Sequence, residues 1–206
     1  MNYWEGIHRF STVVVQLIYV NFLWLLFTVL GLGLFGLFPA TIALFTVLRK
    51  LLTTDQVSIS KLFWETYKSE FFKTNGYAWI TYAVIFILAI DFYVVYTLEG
   101  TLQLLVVPLF IVLYIVISTI LFFFPVYVHF ELSYWQYIKQ AFLIGLVSPL
   151  TFFLLVFYLV ALYGVFNLLP GAIPLFAISL FAYLNMRLSI KAFNKIEKKK
   201  LSEVAS

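Results

Sequence analysis

Three polar side chains interrupt the apolar runs of this chain and are the first candidates for chemistry: Asp91, Asn21 and Gln16. Asp91 lies in the run FILAIDFYVV, and an acid within a membrane span is a candidate for proton or ion handling. The same carboxylate could instead reach the outer edge of a membrane beside Tyr93 and Tyr96. Asn21 and Gln16 share one apolar run, where an amide can either bond a neighbouring helix or line a pocket for a polar ligand.

Other kinds of reactive site are missing from the sequence. The chain has no cysteine and only two histidines, so thiol chemistry, disulfides and histidine-rich metal sites are excluded. It contains no phosphate-binding glycine loop, no HExxH or GxSxG motif, and no pair of carboxylates within a plausible membrane site. His129 and Glu131 fit an ordinary loop or helix cap better than a proton relay. We therefore expect a protein that is not an enzyme and that holds no cofactor or metal.

The composition predicts that a lipid bilayer surrounds most of the chain. Of the 206 residues, 64% are hydrophobic and 11% are charged, whereas soluble domains have about 25% charged residues. The first apolar run, residues 12–30, exceeds the apolar segment of about 7–15 residues in a signal peptide, and no small-residue cleavage site follows it. We interpret it as a membrane helix of the mature protein.

Charge placement predicts the number and direction of the membrane spans. A spanning helix needs about 20 apolar residues, and six runs qualify: 12–33, 34–52, 77–98, 104–128, 142–163 and 172–187. With the N-terminus inside, all 13 Lys and Arg residues fall on the inner side and the outer turns carry none. A five-span arrangement would place basic segments on both sides. The expected protein is an all-α, multi-pass membrane protein with both termini cytoplasmic.

An aromatic motif predicts how the six spans are organised. YWEGIH, FWETYK and YWQYIK precede spans one, three and five, and each returning span begins near a proline, namely Pro39, Pro108 or Pro170. The segment GLFGLFPATIALF also aligns without a gap over GVFNLLPGAIPLF. These patterns predict one membrane domain of three consecutive helical hairpins, with pseudo-repeats of about 1–54, 55–131 and 132–206. Such parallel repeats do not point to an alternating-access carrier, in which inverted repeats are more common.

Each hairpin is expected to follow an interfacial foot, which is a short segment of aromatic and basic residues. Tryptophan and lysine favour the edge of the bilayer, so the expected interfacial anchors are Trp4, Trp135 and Lys139. The middle foot, residues 58–73, is predicted to be an amphipathic helix on the inner membrane surface that stops at Asn75-Gly76. It could rest on lipid or dock a partner protein. The candidate docking residues are Leu62, Phe63, Trp64, Tyr67, Lys68 and Phe71.

The stretch YVNFLWLLFTVLGLGLFGLFPATIALFTVLRK, with FFKTNG further on, resembles the YesL family of bacterial membrane proteins. The family has no known function, and its genes commonly lie beside those of carbohydrate-uptake ABC importers and sensor kinases. The resemblance implies a Gram-positive plasma-membrane protein associated with sugar import. Together with the amphipathic foot, it favours a non-enzymatic accessory protein of a carbohydrate ABC importer, with the permease subunits as the expected partners. It implies no catalytic residue.

A second function and the remaining partners follow from the residues themselves. A small-solute transporter or substrate-binding membrane component is the alternative, and it would show a polar cavity around Asp91 and Asn21. The basic C-terminal tail is expected to contact the bilayer surface, and no nucleic-acid partner is expected. The sequence predicts no particular oligomeric state.

Overall fold

The computed structural model describes the backbone of residues 3–54, 57–98 and 100–204, and the side chains of residues 11–54, 57–98 and 103–198. Within those residues the chain is helical and contains no β-strand. Seven α-helices follow one another, with short 3₁₀ segments at Gly100–Leu105 and Pro170–Ala172. The helices are α1 (Tyr3–Leu30), α2 (Leu34–Thr53), α3 (Ile59–Thr97), α4 (Val106–His129), α5 (Tyr134–Val147), α6 (Pro149–Leu168) and α7 (Ile173–Val204).

The predicted number of spans is confirmed, because six helical segments are long and apolar enough to cross a membrane. They are Ser11–Leu30, Leu34–Thr53, Ile59–Thr97, Gln103–His129, Pro149–Leu168 and Pro170–Lys198. These helices indicate a multi-pass membrane protein. The side of the membrane on which each terminus lies stays a prediction.

The predicted fifth span, residues 142–163, is wrong in its bounds. The helix that begins at Tyr134 ends at Val147, and a new helix begins at Pro149. A proline disfavours helical geometry in the residue before it, and it fits the first turn of a helix, where its missing N–H is not needed. The third foot therefore extends into a separate helix, α5, which packs along α4.

The predicted helix stop at Asn75-Gly76 is also wrong, because α3 runs without interruption from Ile59 to Thr97. The Asn75 side chain donates to the carbonyls of Phe71 in its own helix and Phe35 in α2. A Cβ at Gly76 would lie 2.6 Å from the Tyr134 hydroxyl. Both residues thus serve a close contact between helices in the middle of α3.

A tight turn joins α1 to α2. Leu32 and Gly33 adopt positive φ angles of 59° and 73°, and the N–H of Gly33 bonds the Thr28 carbonyl at 2.9 Å while that of Leu32 bonds Val29 at 3.0 Å. This is the Schellman arrangement, which satisfies the last carbonyls of a helix. It reverses the chain so that α2 packs back along α1.

The core has two apolar clusters. The first joins α1 and α2 to the start of α3 and to α7, and the second joins the middle of α3 to α4 and α5. The most extensive helix pairs in the described chain are α2 with α3 and α4 with α5. Contacts between α3 and α4, the predicted middle hairpin, are fewer. The superposition of the outer hairpins and the three pseudo-repeats stay predictions.

The middle foot is helical from Ile59 onward and touches α1 at a few positions, whereas α3 packs most extensively on α2. Tyr19 of α1 bonds Ser60 at 2.8 Å, and further along α1 the ring of Phe27 lies 5.4 Å from that of Phe63. The position of the foot on the inner membrane surface stays a prediction.

Candidate docking groove and polar sites

One face of the middle foot is buried against other helices of the chain. Phe63 has no exposed surface, and Tyr67 is buried beside it. The Tyr67 ring lies 5.0 Å from that of Phe27, and its hydroxyl donates to the Phe27 carbonyl at 3.0 Å. A Cβ at Gly31 would meet that hydroxyl at 2.6 Å, so the glycine permits the close approach. Phe63 and Tyr67, two of the predicted docking residues, therefore have little surface to offer a partner.

The neighbouring face of the foot carries a second stripe. Trp64, Lys68 and Phe72 follow one another at four-residue spacing on α3, which places them along one face. Trp64 is 50% exposed and Phe72 is 88% exposed. Together with the end of α1 they form an open groove of about 390 Å³, which we call the docking groove. Its main lining residues are Phe27, Leu30, Trp64, Lys68, Phe71 and Phe72.

Four members of the predicted docking set line this groove, namely Trp64, Tyr67, Lys68 and Phe71, whereas Leu62 packs against the first core cluster. Phe72 was missed by the sequence reading. The four-residue spacing from Trp64 to Phe72 could have revealed it. To decide which of the two apolar stripes of α3 is exposed to a partner, one must know which stripe packs against α1.

Asn21 joins α1 to the start of α7. Its amide nitrogen donates to the Pro174 carbonyl at 2.8 Å, and its amide oxygen accepts the N–H groups of Ile178 and Ser179 at 3.2 and 3.1 Å. Pro174 and Ile178 are four residues apart, so the Asn21 carboxamide bonds a carbonyl and an N–H group that are one helical turn apart in α7. The side chain is 1% exposed. It forms an interhelical link and has no surface for a ligand.

Gln16 and Asp91 lie apart from Asn21 and from each other. Gln16 lines a hollow of about 220 Å³ between α1, α2 and Tyr183 of α7. Asp91 is exposed on the last part of α3, close in sequence to the strongly exposed Tyr93 and Tyr96. The structure does not bring the three predicted polar residues into one site.

A polar cluster that the sequence reading missed links α3 to α4. The Glu70 carboxylate accepts a hydrogen bond from the Tyr127 hydroxyl at 2.5 Å and lies 3.7 Å from the Lys73 ammonium. The Lys73 ammonium also lies 5.2 and 5.8 Å from the ring centres of Tyr127 and Tyr137, within the range of cation–π attraction. The three-residue spacing of Glu70 and Lys73 is compatible with an ion pair, but no local pattern points to Tyr127, which is distant in sequence.

The predicted interfacial anchors occupy different positions. Trp135 is exposed at the start of α5, where its ring packs on the edge of Tyr134 at 5.3 Å. Tyr134 itself stacks on Tyr77 at 4.1 Å, and burial raises the pKa of the Tyr134 hydroxyl. Lys139 is exposed one turn after Trp135. The side chain of Trp4 lies outside the described residues.

The described side chains include no group of three or more His, Cys, Asp or Glu residues that could hold a metal ion. The groups just described form an apolar groove, an interhelical amide link and a tyrosine–carboxylate cluster. Their geometry suits binding and packing.

Comparison with known proteins places the chain in a family. A family model described as protein of unknown function DUF624 matches residues 17–92. The chain is 37% identical to the uncharacterized protein YteU of Bacillus subtilis (strain 168), over 92% of this chain and 86% of YteU. The chain belongs to the YesL family. The uncharacterized protein YesL of the same organism is 28% identical over 98% of this chain and 96% of YesL.

A further relative, the uncharacterized protein YesV of Bacillus subtilis (strain 168), is 36% identical over 94% of each chain. No solved structure matches this chain. The predicted resemblance to the YesL family is confirmed by these matches. The family match at residues 17–92 includes Asn21, the α1–α2 turn and the docking groove.

Proposed function

We propose that this YesL-family protein is a non-enzymatic accessory subunit of a carbohydrate ABC importer, and that its docking groove receives an apolar helix of the permease. The observation that carries the proposal is the exposed stripe of Trp64, Lys68 and Phe72 beside the end of α1. A groove with aromatic walls can bind the apolar face of a partner helix. The importer as the partner is suggested by the gene neighbourhood that the family resemblance implies.

The composition of the groove resembles that of protein–protein contacts. Aromatic residues are enriched at interfaces and often contribute most of the binding energy, especially Trp. Lys68 adds one exposed positive charge between Trp64 and Phe72. That charge suits a partner helix that carries an acidic residue or ends with its carbonyls toward Lys68.

The polar residues give less support to a transporter, the alternative function. A transporter of small polar solutes needs a polar cavity near the middle of its spans. Asn21 is bonded on both sides of its amide, and Asp91 is exposed on another helix. A crevice of about 170 Å³ between α3 and α4 has mainly apolar walls, with hydroxyls from Thr81 and Thr119.

Co-purification tests the proposal. The tagged protein is extracted from its native cells in mild detergent, and mass spectrometry counts the permease peptides recovered with it. We expect the double variant Trp64→Ala/Phe72→Ala to lose most of the permease, because both rings are exposed in the groove.

The matched control is Phe153→Ala/Phe157→Ala, which removes two exposed rings from α6. It should retain the permease at the wild-type level. Equal recovery with the groove variant and the wild type would refute docking through the groove. An absence of permease from the wild-type sample would refute the accessory role itself.

A further inference from the structure

A hollow where α4, α5 and α7 meet combines polar and apolar groups. It has a volume of about 410 Å³, and His129, Gln140 and Glu197 reach it from these three helices. The rings of Phe130 and Phe193 provide much of the apolar wall. Small-molecule sites have volumes of about 300–1,000 Å³, apolar walls and a few polar groups that fix the orientation of the ligand. The hollow has each of these properties.

The polar groups keep hydrogen-bonding capacity for a ligand. Nδ1 of His129 is enclosed and has no partner among the described residues, so Nε2 is the ring nitrogen that a ligand can reach. Among the described residues, no side-chain hydrogen bond or ion pair involves Gln140 or Glu197. The three side chains can therefore offer both donors and acceptors.

The surrounding charges favour a neutral ligand. Glu197 provides the one carboxylate among the described side chains that line the hollow. The Arg49 guanidinium donates to the carbonyl of Val128, the residue before His129. This positive charge beside His129 partly offsets the Glu197 carboxylate, so a cation gains less there than beside a lone carboxylate.

The walls favour a ring with hydroxyl groups over a flat heterocycle. A flat heterocycle would be held best in a slot between two parallel aromatic faces. The centres of Phe130 and Phe193 lie 5.1 Å apart with their planes at 54°, so these rings pack on each other and leave no slot between them. A saturated ring can place its C–H face on this apolar wall and direct its hydroxyl groups to the polar side chains.

We propose that this hollow binds a neutral polyhydroxylated small molecule of the monosaccharide class. Glu197 and Gln140 accept hydrogen bonds from its hydroxyl groups. Gln140 and His129 form further hydrogen bonds with hydroxyl groups at the edge of the ligand ring. The hollow is built from α4, α5 and α7, whereas the docking groove is built from α1 and α3. The ligand proposal therefore stands independently of the proposed permease partner.

Equilibrium dialysis of the purified full chain in detergent tests the ligand class. The probes are radiolabelled D-glucose, D-xylose and myo-inositol, with choline and adenosine as a cation and a heterocycle for comparison. We expect saturable binding of at least one of the three polyols and none of choline or adenosine. In Glu197→Gln and Gln140→Leu that binding should weaken by about tenfold or more, because each change removes hydrogen bonds to the ligand.

The control is Glu65→Gln, which neutralises an exposed carboxylate on α3 far from the hollow and should leave polyol binding unchanged. Thermal unfolding shows that each variant is folded before dialysis. Three results would overturn the proposal: no saturable binding of any of the three polyols, polyol binding that Glu197→Gln and Gln140→Leu leave unchanged, or saturable binding of choline or adenosine instead.

Discussion

At the residue scale, polar side chains and glycines act where helices approach closely. Asn21 was recognisable from the sequence as an amide in an apolar run, but its partner was not, because Pro174 is 153 residues away in the chain. Gly31 was recognisable only as part of a turn. Its role in admitting the Tyr67 hydroxyl depends on how α3 packs, which no local pattern encodes.

Replacing Asn21 with leucine should destabilise the protein by about 1–2 kcal/mol, the upper part of the range for interhelical hydrogen bonds in membrane proteins. The variant removes three hydrogen bonds between α1 and α7 while keeping a similar side-chain volume. Unfolding in mixed detergent measures the free-energy change. Phe22→Leu, an exposed change on the same helix, is the control. If the two variants are equally stable, the link contributes nothing.

Gly31→Ala should lower the unfolding temperature in detergent, because the added methyl group would clash with the backbone of Gly36 and the Tyr67 hydroxyl. Gly164→Ala provides the matched comparison, since nothing lies within 4 Å of the Cβ position there. In a helix interior that second change should stabilise by about 0.5–1 kcal/mol. An unchanged unfolding temperature for Gly31→Ala would mean that α1 and α2 are not packed as described.

At the element scale, helix existence was more predictable than helix ends. Runs of about 20 apolar residues predict spans because a bilayer requires that length, and six such helices are present. The break at Ser148-Pro149 was missed because the apolar run continues across it. The break expected at Asn75-Gly76 is absent because bonds to α2 hold that part of α3 in a helix.

The two faces of the foot give an element-scale prediction. Phe63→Ala should destabilise the protein by about 3–5 kcal/mol, because it empties a filled position in the core. Phe72→Ala should leave stability within about 0.5 kcal/mol, since that ring is on the surface. Chemical unfolding of the two variants in detergent compares them. Similar losses of stability for both would contradict the assignment of the buried and exposed faces.

At the scale of the whole molecule, charge placement predicts a complete topology, whereas the helix packing required the structure. All 13 Lys and Arg residues can lie on one side of six spans, and this pattern is local in sequence. The extensive pairing of α2 with α3 and of α4 with α5 joins the predicted repeats to each other. It depends on shape complementarity between distant residues. The docking face differs from the predicted one because this packing buries Phe63 and Tyr67 and leaves Trp64 and Phe72 exposed.

Single cysteines test the predicted topology, because the wild-type chain contains none. A cysteine at position 101 should react with an impermeant thiol reagent on intact cells, and a cysteine at position 194 should react only after lysis. The expected difference follows from placing every basic segment inside. Labelling of position 194 on intact cells, with position 101 protected, would reverse the topology.

The central claim is that the docking groove contacts an importer permease, and site-specific photocrosslinking in native membranes tests it most directly. A photoreactive amino acid is placed at Trp64 in the groove or at Phe153 on α6, both of which are exposed. After illumination, mass spectrometry identifies the crosslinked proteins. We predict a crosslink from position 64 to a permease subunit and none from position 153. A lipid adduct without protein at position 64, or equal permease crosslinking from both positions, would contradict the account.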